Sequence, residues 1–287
     1  MTRLRRYVQV FWTAYLRFDK HDGSAMAGYI AFSGLLALFP FLIFAVAFVG
    51  EMVGKDDSLR AIDALFRLAP PHIAQTIEPV LLEVLAQQRG GLLTFSFAAT
   101  IWIASSAVEA IRTGLDRAYD VVDARNFYIR RGTAVLFVFL GAFVAFFLGL
   151  TVIFSPFFVG VAEKITQSQF QYGTVLLSYA SGFLVFVFVL YVTHRYLPGK
   201  NMRSARLWPG VFLTSALFLA GALGFSIYLS YAPSYTLTYG TLAGVIVTLL
   251  FFYLVGTAVI YGAEVNATLA AAANETMVQP DDEDDID

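Results

Sequence analysis

Between residues 207 and 263 the chain carries no Asp, Glu, Lys or Arg, and only the stretch 230–240 reads as a break. A helix needs roughly 20 apolar residues to cross about 30 Å of hydrocarbon, so the segment reads as two membrane crossings joined by a short tyrosine-rich hairpin loop. Four further apolar runs lie at 25–49, 90–108, 132–162 and 172–193. Lipid offers no partner to backbone N–H and C=O groups, and the runs lack the alternation of barrel strands, so each is expected to close its own hydrogen bonds as a helix. The expected fold is all-α and polytopic, with six transmembrane helices over 25–267.

The placement of charge orients the bundle. Hydrophobic residues make up 58% of the chain and charged residues 14%, with 28 Phe and a net charge of −2, which gives no basis for a nucleic-acid partner. Most of the 19 basic residues fall on one side of the expected membrane: Arg3, Arg5, Arg6, Arg17 and Lys20; then Arg112, Arg117, Arg125, Arg130 and Arg131; then Arg195, Lys200, Arg203 and Arg206. The other side holds Lys55, Arg60, Arg67, Arg89 and Lys164. By the positive-inside rule both termini are cytoplasmic. Cysteine is absent, so disulfides and thiolate chemistry are excluded.

Residues 1–24 read as a helix lying in the cytoplasmic interface rather than a cleavable signal. Leu4, Val8, Phe11, Trp12 and Tyr15 share one face, and Arg3, Arg6 and Arg17 lie on the other. The loop 51–89 carries two helical periodicities, one through Leu59, Ile62, Leu65 and Phe66 and one through Ile73, Ile77, Val80, Leu81 and Val84. They predict two short periplasmic amphipathic helices that cap the bundle or lie on the bilayer and offer a surface to an envelope protein partner. The acidic tail, 268–287, is expected to be disordered in the cytoplasm. Gly224, Gly240 and Gly244, at small-residue spacing, are expected to pack helices closely, and Pro40 and Pro156 to kink theirs.

Few residues offer chemistry. His21, His72 and His194 are expected in three separate places, which leaves no convergent metal site, and neither a Walker-type loop nor a nucleophile elbow occurs. The chain is therefore expected to be no enzyme and to need no cofactor or metal. Candidate substrate or gating residues are Glu109, Arg112, Arg131, Arg195, Glu264 and Asn266, near the cytoplasmic ends of helices, because ionisable groups beside apolar runs are costly. Glu109 is placed to pair with Arg112 at i, i+3, and Glu264 to meet Arg112 or Arg195 across the bundle. No carboxylate or histidine falls at mid-span, which disfavours a proton or sodium relay.

Four segments resemble the YihY/BrkB family of bacterial inner-membrane proteins, formerly described as ribonuclease BN. They are Ala27-Gly28-Tyr29-Ile30-Ala31-Phe32 running into Leu36 to Pro40; Ser105-Ser106 with Gly114-Leu115-Asp116-Arg117-Ala118-Tyr119-Asp120 and Arg130-Arg131; Tyr196-Leu197-Pro198 through Trp208-Pro209-Gly210; and Tyr239-Gly240 with Gly262-Ala263-Glu264-Val265-Asn266. The family commonly has Asn where this chain has Asp116. The resemblance implies a six-helix protein of the bacterial inner membrane with cytoplasmic termini. Its ribonuclease label conflicts with the short cytoplasmic loops. The leading functional expectation is a permease or flippase-like transporter of a lipid or other amphiphilic envelope substrate, with membrane lipids as partners and arginines at the cytoplasmic rim to hold phosphate. The alternative is a non-transporting scaffold of an envelope-assembly complex. Oligomeric state is not legible.

Overall fold

The computed structural model describes residues 3–53, 90–144, 173–199, 207–231 and 242–278. All of these are helix, turn or short connection, with no strand among the described residues. We number the helices α1 (Arg3–Lys20), α2 (Gly23–Val53), α3 (Gly90–Ala118), α4 (Phe127–Val144), α5 (Gly173–Tyr196), α6 (Trp208–Tyr231) and α7 (Ala243–Val278). The described part of each of the six apolar runs falls on one of α2 to α7. Among the described residues, three stretches are long and apolar enough to cross a membrane: Phe127–Val144, Trp208–Leu229 and Gly244–Ala273. Residues 54–89, Pro156, Gly240 and 279–287 lie outside the described residues; residues 268–278, expected to open a disordered tail, instead continue α7 as helix, because the alanine-rich run after Leu269 favours it.

The long α7 is the hub, packed against α1, α2, α3 and α6. Small residues set these approaches. A Cβ at Gly256 would stand 3.1 Å from the Ala27 Cα, and one at Gly114 would stand 3.3 Å from Ile260. Tightest is the crossing of α6 and α7, where a Cβ on Gly210 would run into the Gly262 carbonyl and the Asn266 amide. Without a hydrophobic force between helices in lipid, such close backbone packing is what holds a bundle together. Gly224, by contrast, has nothing within 4 Å of its would-be Cβ, so the close packing expected there is found at Gly210, Gly256 and Gly262 instead.

The apolar surface is turned outward. Phe32 and Leu36 on α2, Leu136, Phe139 and Phe143 on α4, and Phe212 and Leu223 on α6 are all exposed, as expected where the solvent is hydrocarbon. Pro40 lies inside α2, which runs through it, and the Thr100 hydroxyl of α3 donates to its carbonyl at 3.3 Å.

Two corners close with aspartate in the left-handed region, Asp22 at φ 54° and Asp120 at φ 53°. At the end of α3, Val121 N–H donates to the Asp116 carbonyl (2.8 Å) and Asp120 N–H to that of Arg117 (3.1 Å). That pairing is a Schellman cap, usually completed by Gly. Asp tolerates the conformation better than most residues, and here both side chains are used: Asp120 meets Arg17 at 2.7 Å and Asp22 meets Arg117 at 3.2 Å. The end of α1 and the end of α3 are thus cross-tied by reciprocal ion pairs.

Candidate functional site

Most of the polar side chains singled out by sequence converge at one end of the bundle, in three linked networks. The first is centred on Glu264 of α7, which is fully buried. Its Oε2 accepts from Arg17 Nε at 3.0 Å and its Oε1 lies 2.7 Å from His21 Nδ1. His21 Nε2 in turn stands 3.3 Å from Asp120, and Arg17 also donates to the Ala118 carbonyl at 3.2 Å. The expected partners, Arg112 and Arg195, are therefore wrong. The partners come instead from the end of α1, which folds back along α7, with the Tyr261 hydroxyl donating to the Phe11 carbonyl at 3.1 Å. Arg17 consequently points into the protein. The apolar residues Val8, Phe11, Trp12, Tyr15 and Leu16 face outward, each at least 42% exposed.

Arg112 is already taken. Its guanidinium donates to Glu109 (2.7 Å), Asp116 (2.8 Å) and Asp123 (2.8 Å), so the expected i, i+3 pair with Glu109 forms within a larger cluster. Arg125 grips Asp123 through Nε and Nη2 at 2.8 and 2.9 Å, the bidentate geometry favoured for guanidinium and carboxylate. It also reaches the Leu197 carbonyl at 3.0 Å, while Gly199 N–H donates to Asp116 at 2.6 Å. Gly199 is required because a Cβ there would stand 2.6 Å from Asp123 Cα. The Arg125 hydrogen bonds hold the Asp123 carboxyl below the ordinary carboxylate range.

The third network is neutral. Asn266 Oδ1 accepts from Gly210 N–H at 2.7 Å, and its Nδ2 donates to the Leu207 carbonyl at 3.0 Å and the Tyr119 oxygen at 3.3 Å. The backbone contacts fix the amide orientation. With its oxygen accepting from Asn266, Tyr119 can spend its single hydrogen on His194 Nδ1, 2.8 Å away. His21 and His194 thus lie in the same polar end, not in separate regions.

These networks join α1, α3, the connection 119–126, α5, α6 and α7. Chemically they form a clamp. Every carboxylate in them is engaged by a cation or a backbone N–H. Arg131 and Arg195 differ. Arg131 lies over the Trp102 ring at 3.9 Å and donates to the Trp102 carbonyl at 2.6 Å, and Arg195 lies over Tyr191 and Tyr196 at 5.9 and 5.5 Å. An open apolar groove of about 330 Å³ runs between α2, α3 and α4, lined by Gly34, Ala37, Ala104, Val108, Phe137 and Gly141 among others. Sequence reasoning missed Arg17, His21, Asp116, Tyr119, Asp120, Asp123 and Arg125 as members of the polar end. Three of them, Asp116, Tyr119 and Asp120, fall in the stretch Gly114 to Asp120, which offers only a motif.

Apolar helices of spanning length, closed at one end by buried ion pairs, define a helical membrane protein. The chain belongs to the virulence factor BrkB family, whose sequence model matches residues 14–286. Among its relatives is the Bacillus subtilis (strain 168) protein YfkH, whose name calls it ribonuclease-like, 31% identical over 88% of this chain and 92% of that one. The UPF0761 membrane protein NT05HA_1801 of Aggregatibacter aphrophilus (strain NJ8700) is 23% identical over 97% of both chains. A UPF0761 membrane protein of Pseudoalteromonas atlantica is 24% identical over 96% of this chain and 92% of its own length. No solved structure matches.

Proposed function

We propose that this protein is a permease for amphiphilic envelope molecules, a lipid or lipid-like compound, in the bacterial inner membrane. In this reading α2 to α7 are six crossings with both termini in the cytoplasm, and α1 lies in the cytoplasmic interface with its exposed aromatic face against head groups. The groove between α2, α3 and α4 carries the proposal. It is apolar, open, and lined by glycine and alanine where an acyl chain needs room, and its volume falls in the range of small-ligand sites. The clamped polar end gives the moving parts a fixed base. The ribonuclease-like name of YfkH is not carried over. Among the described residues no group of three or more His, Cys, Asp or Glu is arranged to hold a metal ion, and the carboxylates of the polar end are tied up in ion pairs with arginines rather than set beside a nucleophile.

The clamp itself favours one other reading, a scaffold that presents 51–89 to an envelope partner, since a rigid end joining six elements suits both roles. Redistribution of labelled lipid in liposomes containing the purified protein separates them. The permease redistributes lipid and a groove-filling Gly141→Phe variant does not; for the scaffold neither protein does.

A further inference from the structure

Four side chains close a ring of alternating charge where α1 meets α7 and the end of α3. Arg17 Nε donates to Glu264 Oε2 at 3.0 Å, Glu264 Oε1 lies 2.7 Å from His21 Nδ1, His21 Nε2 stands 3.3 Å from Asp120 Oδ1, and Arg17 Nη2 donates to Asp120 Oδ2 at 2.7 Å. The nitrogen corners come from α1 and the turn that ends it, and the carboxylates come from α7 and the turn that ends α3. The ring is the polar joint by which α1 docks.

Each ring nitrogen of His21 faces a carboxylate oxygen. Neutral imidazole has a single N–H, and an ionised carboxylate offers only lone pairs. Closing all the contacts therefore takes one proton beyond those on a neutral His21 and two ionised carboxylates. That proton is carried by His21 or, across the 2.7 Å contact, by Glu264, and in both cases the charges of the ring cancel. Without it two lone pairs oppose each other, and one negative charge is left over beside a Glu264 side chain that is 0% exposed. No neighbour replaces it. The other helix against α1 is α2, which has no Asp, Glu, Lys, Arg or His from Gly23 to Gly50, and Arg117 is bonded to Asp22 at 3.2 Å. We infer that His21 and Glu264 form a proton-binding site that locks α1 to the bundle, docked with the proton bound and loosened by its loss. The docked form binds more protons than the released one, so docking weakens as pH rises. Histidine is the side chain suited to such a switch near neutral pH. On the proposed topology the proton exchanges with the cytoplasm, and the switch acts whatever the groove carries.

The chain has no cysteine, so spin labels can be placed at Val8→Cys on α1 and Phe212→Cys on α6, which are 61% and 55% exposed. Double electron–electron resonance on the purified full chain then reads the position of α1. One docked distance should dominate at about pH 6. At about pH 8.5 a displaced population should grow about threefold, less than the roughly tenfold of one charge-assisted bond, because Asp120 is exposed and its pair is screened. Asp120→Asn closes the ring without the extra proton, since its amide donates to neutral His21 while its oxygen still accepts from Arg17. Asn also tolerates the left-handed corner at φ 53°. This variant should stay docked at both pH values. His21→Gln, wherever it leaves α1, should give one distribution at both. An unchanged distribution in the parent, or a parent-like response in either variant, overturns the proton site.

Discussion

Replacing Glu264 by Gln tests whether the buried end is held by charge. The substitution keeps shape and volume, so no cavity forms, and the side chain it alters is fully buried. In the parent, Glu264 accepts one bond from Arg17 and shares one with His21. Hydrogen bonds to charged groups contribute about 1.5 to 3 kcal/mol each, and breaking a buried ion pair costs about 3 to 5 kcal/mol. Two features reduce that figure. The new amide oxygen still accepts from Arg17, and Arg17 and His21 keep Asp120, although Asp120 is 61% exposed and its pairs are screened. The net loss should be about 2 kcal/mol, which corresponds to roughly 4 to 8 °C in the melting temperature of a chain near this size. Thermal unfolding of the detergent-solubilised protein reads it directly. A double-mutant cycle with Arg17→Gln should give a coupling of at least about 1 kcal/mol. A shift under about 1 °C, or strict additivity in the cycle, would refute the idea that α1 is locked to α7 through this carboxylate.

Other outcomes follow from the same geometry. Gly210→Ala should destabilise by about 1 to 3 kcal/mol or prevent folding, because its Cβ meets the Gly262 carbonyl, whereas Gly224→Ala should be neutral or stabilising by up to about 1 kcal/mol; melting temperatures of the two variants check the contrast. Asp123, held below its ordinary range chiefly by Arg125, contributes stability that is full above the unfolded value of about 3.9 and is lost as pH falls through its lower folded value. The gap in melting temperature between the parent and Asp123→Asn should accordingly be constant from pH 7 to about 5 and shrink below about 4; a gap that widens on acidification would contradict the assignment. A reporter active only in the cytoplasm should work when fused after Asp287 or within 121–126 and fail within 56–85, and activity of the 56–85 fusion would overturn the six-span topology.

The helices were legible because an apolar run in lipid has few alternatives to a helix. Local pairs were legible too: Glu109 and Arg112 follow from i, i+3 spacing. Long-range partners were not. Nothing in the amphipathic pattern of α1 says that its polar face turns toward Glu264 and its aromatic face away, since both orientations bury one face and expose the other. Asp22 and Asp120 were hidden for a different reason. Left-handed corners are usually signalled by Gly or Asn, and here the signal is replaced by ion pairs from distant helices. The Trp208-Pro209-Gly210 and Gly262 to Asn266 motifs carried more than was read from them. They are the two halves of one contact, with Asn266 bonded to Gly210 and Gly262 against Gly210.

The central claim is that the groove between α2, α3 and α4 carries an amphiphile across the membrane. Its most direct test is the redistribution of fluorescent phospholipid between leaflets of liposomes containing the purified parent or Gly141→Phe, matched in thermal stability and reconstituted at equal density. The account predicts leaflet exchange faster than in protein-free liposomes for the parent, and exchange at the protein-free rate for Gly141→Phe. Equal exchange by the two proteins, or none by the parent under an imposed ion gradient, would contradict it.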